Sequence, residues 1–301
     1  MIVNRQNLDN LRVGFKTSFQ NQLEQTATLF QRVSTTVPST SKTEDYGWLG
    51  KLPNVREWLG SRVVQNLSES SYVIKNKPFE LTIGVDRDDI EDDNLGIYAP
   101  MFQMLGESVA AWPDQMIWPL LLAGFATSCY DGQFFFDIDH PVLDANGVPQ
   151  SVANTDGGSG TPWFLLDCSK VLKPFIWQLR KAGQFVSLDR PDDANVFDKK
   201  EFKYGWDGRG NAGYGLWQFA WGSKQALDAT HYAAARAALM GMKGDFGRPL
   251  NVLQGAAKPL LVVPPSLEAA GLQLVNATVN ATGASNVYNN TAELLVVPWL
   301  A

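Results

Sequence analysis

An α+β fold follows from three observations on this 301-residue chain. Apolar residues recur every three or four positions from Asn7 to Gln31 and again from Gly96 to about Gly124, the period of helices that bury one face. Phe79, Leu81, Ile83 and Val85 alternate with Glu80, Thr82 and Gly84, the period of a strand with one wet face. Helical and strand-like segments then alternate through the second half, with no internal repeat of fixed length.

The first helix carries Leu8, Leu11, Phe15, Phe19, Leu23, Ala27 and Phe30 on one stripe, with Asn7 as its N-cap. That stripe either covers the chain's own core or docks on another subunit. The following VSTTVPSTSK (33–42) reads as an extended connector, so the helix reads as an arm. Residues 46–62, with Trp48, Trp58, Pro53 and three glycines, form a packed, turn-rich passage. Tyr72–Ile74 and the alternating strand flank Lys75-Asn76-Lys77-Pro78, which predicts a hairpin with a basic turn. The second helix begins at Gly96 and bends at Pro113 or Pro119. Gly, Pro, Asn and Asp dominate 137–162, an irregular boundary. Beyond it the pattern predicts a helix over 169–182, a helix capped by Asp228 that runs to Lys243, a buried strand over 259–263, a helix from Ser266 to Asn276 and a closing strand over 293–299.

Charge and residue usage exclude several functions. The formal charge is −6 and no basic run occurs, which disfavours a grip on a phosphate backbone. The apolar run Met116–Thr127 is too short for the ~20 residues that span a bilayer. No secretory leader opens the chain, so the N-x-Ser/Thr sequons at Asn66, Asn276, Asn280 and Asn289 predict no glycan. With two histidines and two distant cysteines, neither a histidine-rich nor a CxxC zinc site is possible, which leaves carboxylates. Asp137, Asp139 and His140 are the alternative candidates, as ligands in a metal-dependent hydrolase, against a polar turn closed by Pro141. The run Asp86 to Asp93 holds six acids in eight positions, suited to a helix N-terminus or to a basic partner. Gly205–Gly215 lacks the Gly-Lys-Ser/Thr of a phosphate loop, and no nucleophile elbow occurs. No catalytic residue, metal or cofactor is therefore predicted.

Longer motifs carry more. YGWLGKLPNVREWLGSR (46–62), NKPFELTIGV (76–85), GIYAP (96–100), CYDGQFFFDIDHP (129–141), NAGYGLWQ (211–218), PLLVVPPSLE (259–268) and ELLVVP (293–298) stand in one order along nearly the whole chain. Together they resemble the Mu-like phage major head subunit (gene product T) family. That resemblance implies a major capsid protein with the Hong Kong 97 fold, built from an N-terminal arm (1–60), an extended hairpin or E-loop (61–90), a peripheral domain with a long spine helix (91–141 and 286–301, the last strand returning to its sheet) and an axial domain (142–285). It implies self-assembly into pentamers, hexamers and an icosahedral shell around double-stranded DNA, in a virion formed in the bacterial cytoplasm. Scaffolding, portal and decoration proteins are expected as separate chains, and no membrane. The expected assembly surface comprises Phe15 and Phe19 on the arm, Lys75 and Lys77 at the hairpin turn, and Asp88, Asp89, Asp92 and Asp93 on the acidic run. A cellular nanocompartment shell on the same fold is a further alternative.

Overall fold

The computed structural model describes residues 2–49, 72–92, 95–254, 257–280 and 283–301. Helix α1 (Arg5–Gln25) starts before the expected cap, because Asn4 rather than Asn7 turns its side chain onto the Asn7 amide, at 2.9 Å. A short α2 (Phe30–Val33) leads into β1 (Ser34–Pro38). The run expected to be a connector is thus a strand, its Thr35, Thr36 and Val37 having the β-branching that suits a pleated ladder.

The predicted hairpin is also different. β2 (Thr43–Asp45) pairs antiparallel with β3 (Val73–Lys75), whereas β4 (Lys77–Asp86) pairs with a strand far along the chain. Lys75-Asn76-Lys77-Pro78 therefore carries the chain from one sheet to another rather than reversing it. Residues 50–71, which include Trp58 and most of the turn-rich passage, lie outside the described residues, as does Asp93.

After α3 (Arg87–Glu91) comes α4 (Tyr98–Ala123), 26 residues that stay helical through Pro113 and Pro119 and end at Gly124 as the periodicity predicts. The region 137–162 contains β5 (His140–Leu143), β6 (Pro149–Val152) and β7 (Thr155–Gly158), followed by β8 (Trp163–Leu166). Next is β9 (Phe175–Leu188), a fourteen-residue strand where the sequence predicts a helix over 169–182. Phe175, Ile176, Trp177 and Gln178 are all buried, so no alternation marks this half of the strand and its apolar spacing imitates a helix. Then come α5 (Ala194–Lys199), β10 (Glu201–Tyr214), β11 (Ala220–Lys224), α6 (Ala229–Met240), β12 (Leu260–Val263), α7 (Glu268–Val275) and β13 (Glu293–Val296).

Two sheets organise these elements. The first has the order β1-β9-β10-β4, antiparallel except for β1 beside β9. The second has the order β13-β12-β8-β11-β7. The closing strand joins this second sheet, in parallel with β12, and does not return to the first. Strands β8 and β12, WFLL and LLVV, are buried along their whole length and so take apolar residues at every position. The turn after β13 reaches α4, where Trp299 lies beside Met104 and Ala111.

Helices α1 and α4 cover one face of the first sheet. Phe15 stacks on Phe102 with ring centroids 4.2 Å apart and meets the edge of Tyr204 at 5.3 Å. Phe19 packs on Phe185 at 5.5 Å, and Trp112 on Trp177 at 4.8 Å and on Trp206 at 5.2 Å. Such offset and edge-on pairs add about 0.5–1.5 kcal/mol each beyond their burial. Asp114 on α4 accepts from the Leu29 amide at 3.1 Å and from Trp118 Nε1 at 2.9 Å, which ties the start of α2 to α4. Gly106 lets the two long helices approach: a Cβ there would lie 2.4 Å from the Phe19 carbonyl oxygen.

The root of the β2–β3 pair rests on a closed polar network. Tyr46 donates to Gln178 Oε1 at 2.8 Å, and Gln178 Nε2 donates to Asn76 Oδ1 at 2.8 Å and to the Ile74 carbonyl at 3.1 Å. Asn76 Nδ2 donates to Ser39 Oγ at 2.8 Å, and Ser39 to Glu44 Oε1 at 2.8 Å. The Thr40 and Ser41 amides complete the set around that carboxylate, at 2.8 and 3.1 Å. These donors, the Ser39 hydroxyl first and then the two amides, hold the Glu44 pKa down to about 2 from an ordinary 4.5.

Two outcomes are expected. Helix propensity alone favours Gly106→Ala by ~1 kcal/mol, yet overpacking of this kind typically costs ~1–3 kcal/mol. Urea denaturation should find the variant less stable, and trypsin should cut α1 sooner; a more stable variant would contradict the close approach. Because the folded-state pKa of Glu44 lies below its ordinary value, its contribution is complete above about pH 4.5 and is lost as pH falls towards about 2. The protection of the Thr40 and Ser41 amides against hydrogen exchange, taken relative to their intrinsic rates at each pH, should fall across that window, and Glu44→Gln should remove the dependence.

Candidate assembly surfaces

Phe15 and Phe19 are interior residues. Exposed by 5% and 3%, they lie between α4 and the sheet of their own chain, so the arm's stripe covers its own core instead of facing a neighbour. The spacing that suggested a docking face is the same for both outcomes; only the presence of α4 and β10 opposite decides between them.

Lys75 and Lys77 do reach solvent. They flank the buried Asn76, and both side chains are exposed. The Lys75 carbonyl accepts from Asn211 Nδ2 at 2.8 Å, and Lys77 stands opposite Gly210 in the ladder. The acidic run lies at the far end of β4, ~30 Å away at the usual rise per residue, so the two groups cannot pair within one chain.

Local structure absorbs part of that acidic run. Asp86 caps α3 by accepting from the Asp88 amide at 2.8 Å, and Asp88 and Asp89 occupy the first turn, where the helix dipole favours carboxylates. Tyr98 donates to Asp89, Lys200 stands 3.5 Å from Asp88, and Arg87 pairs with Glu91 at 2.8 Å. Asp92 is exposed.

The alternative ligand trio does not converge. Asp137 accepts from the Phe134 amide at 3.2 Å and its own neighbour's, Ile138, at 2.7 Å, while Asp139 accepts from the Ser151 hydroxyl. His140 is fully buried, stacked on Trp217 at 3.8 Å, with Nδ1 2.7 Å from Asp131 Oδ2. These bonds close the DIDHP turn and leave no shared point at which the three could meet one ion. The glycine-rich run 205–215 is likewise no phosphate loop: it lies almost wholly in β10, where Gly208 makes room for the Trp206 ring and Gly213 for Ile74.

Other open surfaces escaped the sequence reading. Val186 and Leu188 stand on the sheet face away from α1, beside Thr82, Lys203 and Gly205. Ile97, Met101 and Met104 form an exposed apolar line leading to Trp299. Alternation on β9 from Phe185 to Leu188 is the local signal of the first. Among the described residues no helix is long and apolar enough to cross a membrane.

The family model for the Mu-like prophage major head subunit gpT matches residues 8–300. The major capsid protein of Escherichia phage Mu is 41% identical over 296 residues, 96% of this chain and 95% of that protein. A chain of the bacteriophage JBD30 procapsid superposes with a TM-score of 0.87 at 39% identity, covering 99% of this chain and 100% of its own. A chain from the JBD30 capsid decorated with minor capsid protein trimers gives a TM-score of 0.76 at 32% identity, with 93% of each chain covered. The two-sheet α+β architecture is accordingly the Hong Kong 97-type fold of phage heads. With a match that runs from the first helix to the closing turn, the chain belongs to the Mu-like prophage major head subunit gpT family and is a major capsid protein.

Proposed function

We propose that copies of this chain join in rings, pentamers and hexamers, that close into an icosahedral shell around double-stranded DNA, and that the chain performs no catalysis. The supporting observation is the superposition on a procapsid subunit, which accounts for nearly every residue of both chains. A contact that closes by rotation builds rings, and rings of two sizes tile a closed surface. In this reading α4 is the spine of a peripheral domain together with the first sheet, and the second sheet is the axial domain. β2 and β3 are the root of the extended loop. Scaffold and portal are separate chains, decoration proteins bind the shell, as the JBD30 capsid is decorated with minor capsid protein trimers, and assembly takes place in the bacterial cytoplasm.

The exposed apolar positions supply the cohesion. Burying one such side chain contributes about 1.5–3 kcal/mol, whereas an exposed ion pair contributes about 0.2–1 kcal/mol and is screened over ~8–10 Å. Charge at Lys75, Lys77 and the acidic run therefore tunes rate and curvature.

Electron microscopy of the purified protein should find rings and shells. A compact monomer at every salt and protein concentration would contradict the assembly reading, and shells that hold protein cargo without nuclease-resistant DNA would favour a nanocompartment. Light scattering is expected to find that reversing the charge of Lys75 and Lys77 slows assembly at low salt, with partial rescue by reversal at Asp88, Asp89 or Asp92; equal rates would remove the lysines from the interface.

A further inference from the structure

Cys129, Asp131 and His140 present a thiol sulfur, a carboxylate oxygen and an imidazole nitrogen that all lie within 4.8 Å of one another. Cys129 Sγ stands 3.1 Å from Asp131 Oδ1, and His140 Nδ1 2.7 Å from Asp131 Oδ2. The first two residues sit on a tight turn, closed by the Cys129 amide on the Gln133 carbonyl at 2.8 Å and by the Gln133 amide on Asp131 Oδ1 at 3.1 Å. The third sits at the start of β5, held opposite Val152 and under the Trp217 ring. Both cysteine and histidine are buried, and the imidazole turns Nδ1 towards the Asp131 carboxylate.

We propose that Cys129, Asp131 and His140 form a binding site for a zinc-class divalent cation, which fastens the Cys129–Gln133 turn to the start of β5. The donor chemistry selects the ion. Sulfur and imidazole nitrogen are ligands of borderline-soft metals, and calcium or magnesium would demand oxygen at every position. Bonds of about 2.0–2.3 Å to such ligands place tetrahedral neighbours roughly 3.3–3.8 Å apart. The sulfur and the nitrogen stand 3.1 and 2.7 Å from the two Asp131 oxygens, with the three donors within 4.8 Å of one another, so side-chain rotation would open those hydrogen bonds to that spacing. Charge balance favours the same ion. Thiolate and carboxylate together carry two negative charges, so a divalent cation leaves the buried site neutral, the condition under which charge is tolerated in an interior. The bookkeeping is closed: the Cys129 S–H proton leaves to solvent as the metal–sulfur bond forms, Asp131 binds as the anion, and His140 contributes a lone pair as neutral imidazole. No electron is transferred, and a water takes the fourth corner.

A site built from one cysteine, one acid and one histidine matches neither a CxxC pattern nor a histidine pair. Its spacing, C-x-D followed after eight residues by H, became legible only when the fold brought β5 beside the turn.

The test titrates the full-length protein with cobalt chloride under reducing conditions, followed by zinc chloride. One cobalt per chain is expected, with a thiolate-to-cobalt charge-transfer band and tetrahedral visible bands that one equivalent of zinc removes. Cys129→Ser should abolish the charge-transfer band and weaken binding at least tenfold. Cys168→Ser, which changes the other cysteine, should leave both unchanged. Absence of the band in the unmodified protein overturns the proposal whatever the variants do, as does a band that survives Cys129→Ser or disappears with Cys168→Ser. Circular dichroism of Cys129→Ser separates loss of the site from loss of the fold; should that variant not fold, alkylation of Cys129 in the unmodified protein decides, since stoichiometric zinc must slow it at least tenfold and an unchanged rate overturns the proposal.

Discussion

The antiparallel ladder between β9 and β10 is the constraint on which the other parts depend. Its two strands are fourteen residues each, and their pairing runs from Phe175 opposite Tyr214 to Leu188 opposite Lys203, with irregularities between Asp207 and Gly210. The far half carries Phe185 and Tyr204, the floor on which α1 and α4 pack. On β9 the near half, Phe175–Gln178, is buried on both sides and holds Gln178, the residue that anchors the β2–β3 root. β4 adds to one edge of this ladder and β1 to the other. A slip of one residue would turn Phe185 outward and Val186 inward, exchanging the apolar floor for the open face, so the register is fixed by both sets of side chains at once.

Within that frame, buried polar groups do the orienting. Gln178, Asn76, Ser39 and Tyr46 are nearly inaccessible and bond to one another or to backbone carbonyls. Desolvating amides and hydroxyls is unfavourable unless each finds a partner, so a network of this kind tolerates one arrangement of its strands and few others. Apolar contacts bring β2 and β3 against the ladder; the amides set the direction in which they leave it. Asp114 acts similarly between α2 and α4, its carboxylate raised by burial yet held by the Leu29 amide and the Trp118 indole.

A capsid subunit must be a finished fold and an unfinished surface. The aromatic seam completes the first requirement within one chain, which is why Phe15 and Phe19 are spent internally. What the fold leaves open is the Val186–Leu188 face and the Ile97–Met104 line. Methionine suits a surface that meets neighbours in more than one geometry, since its unbranched side chain adapts to different contacts. The lysines beside Asn76 and the acids at the end of β4 sit too far apart to neutralise each other within one chain.

The sequence by itself determined the family, the α+β class, the span of α4 to Gly124, the alternation of β4, and the buried strand and closing strand that became β12 and β13. Each is encoded locally, in a periodicity, a cap or an ordered motif that needs no partner to be read. Tertiary structure alone decided the rest. Whether the α1 stripe faces its own core or a neighbour depends on α4 lying opposite. Whether Lys75-Asn76-Lys77-Pro78 reverses the chain depends on Gln178, more than a hundred residues away, donating to Asn76. Whether 175–188 is helix or strand depends on burial from both sides, which erases the period that distinguishes them. Cys129, Asp131 and His140 become one cluster only where β5 is laid beside the turn. In each case the deciding energy comes from contacts between residues distant in sequence, and a local pattern carries no record of what it will be packed against.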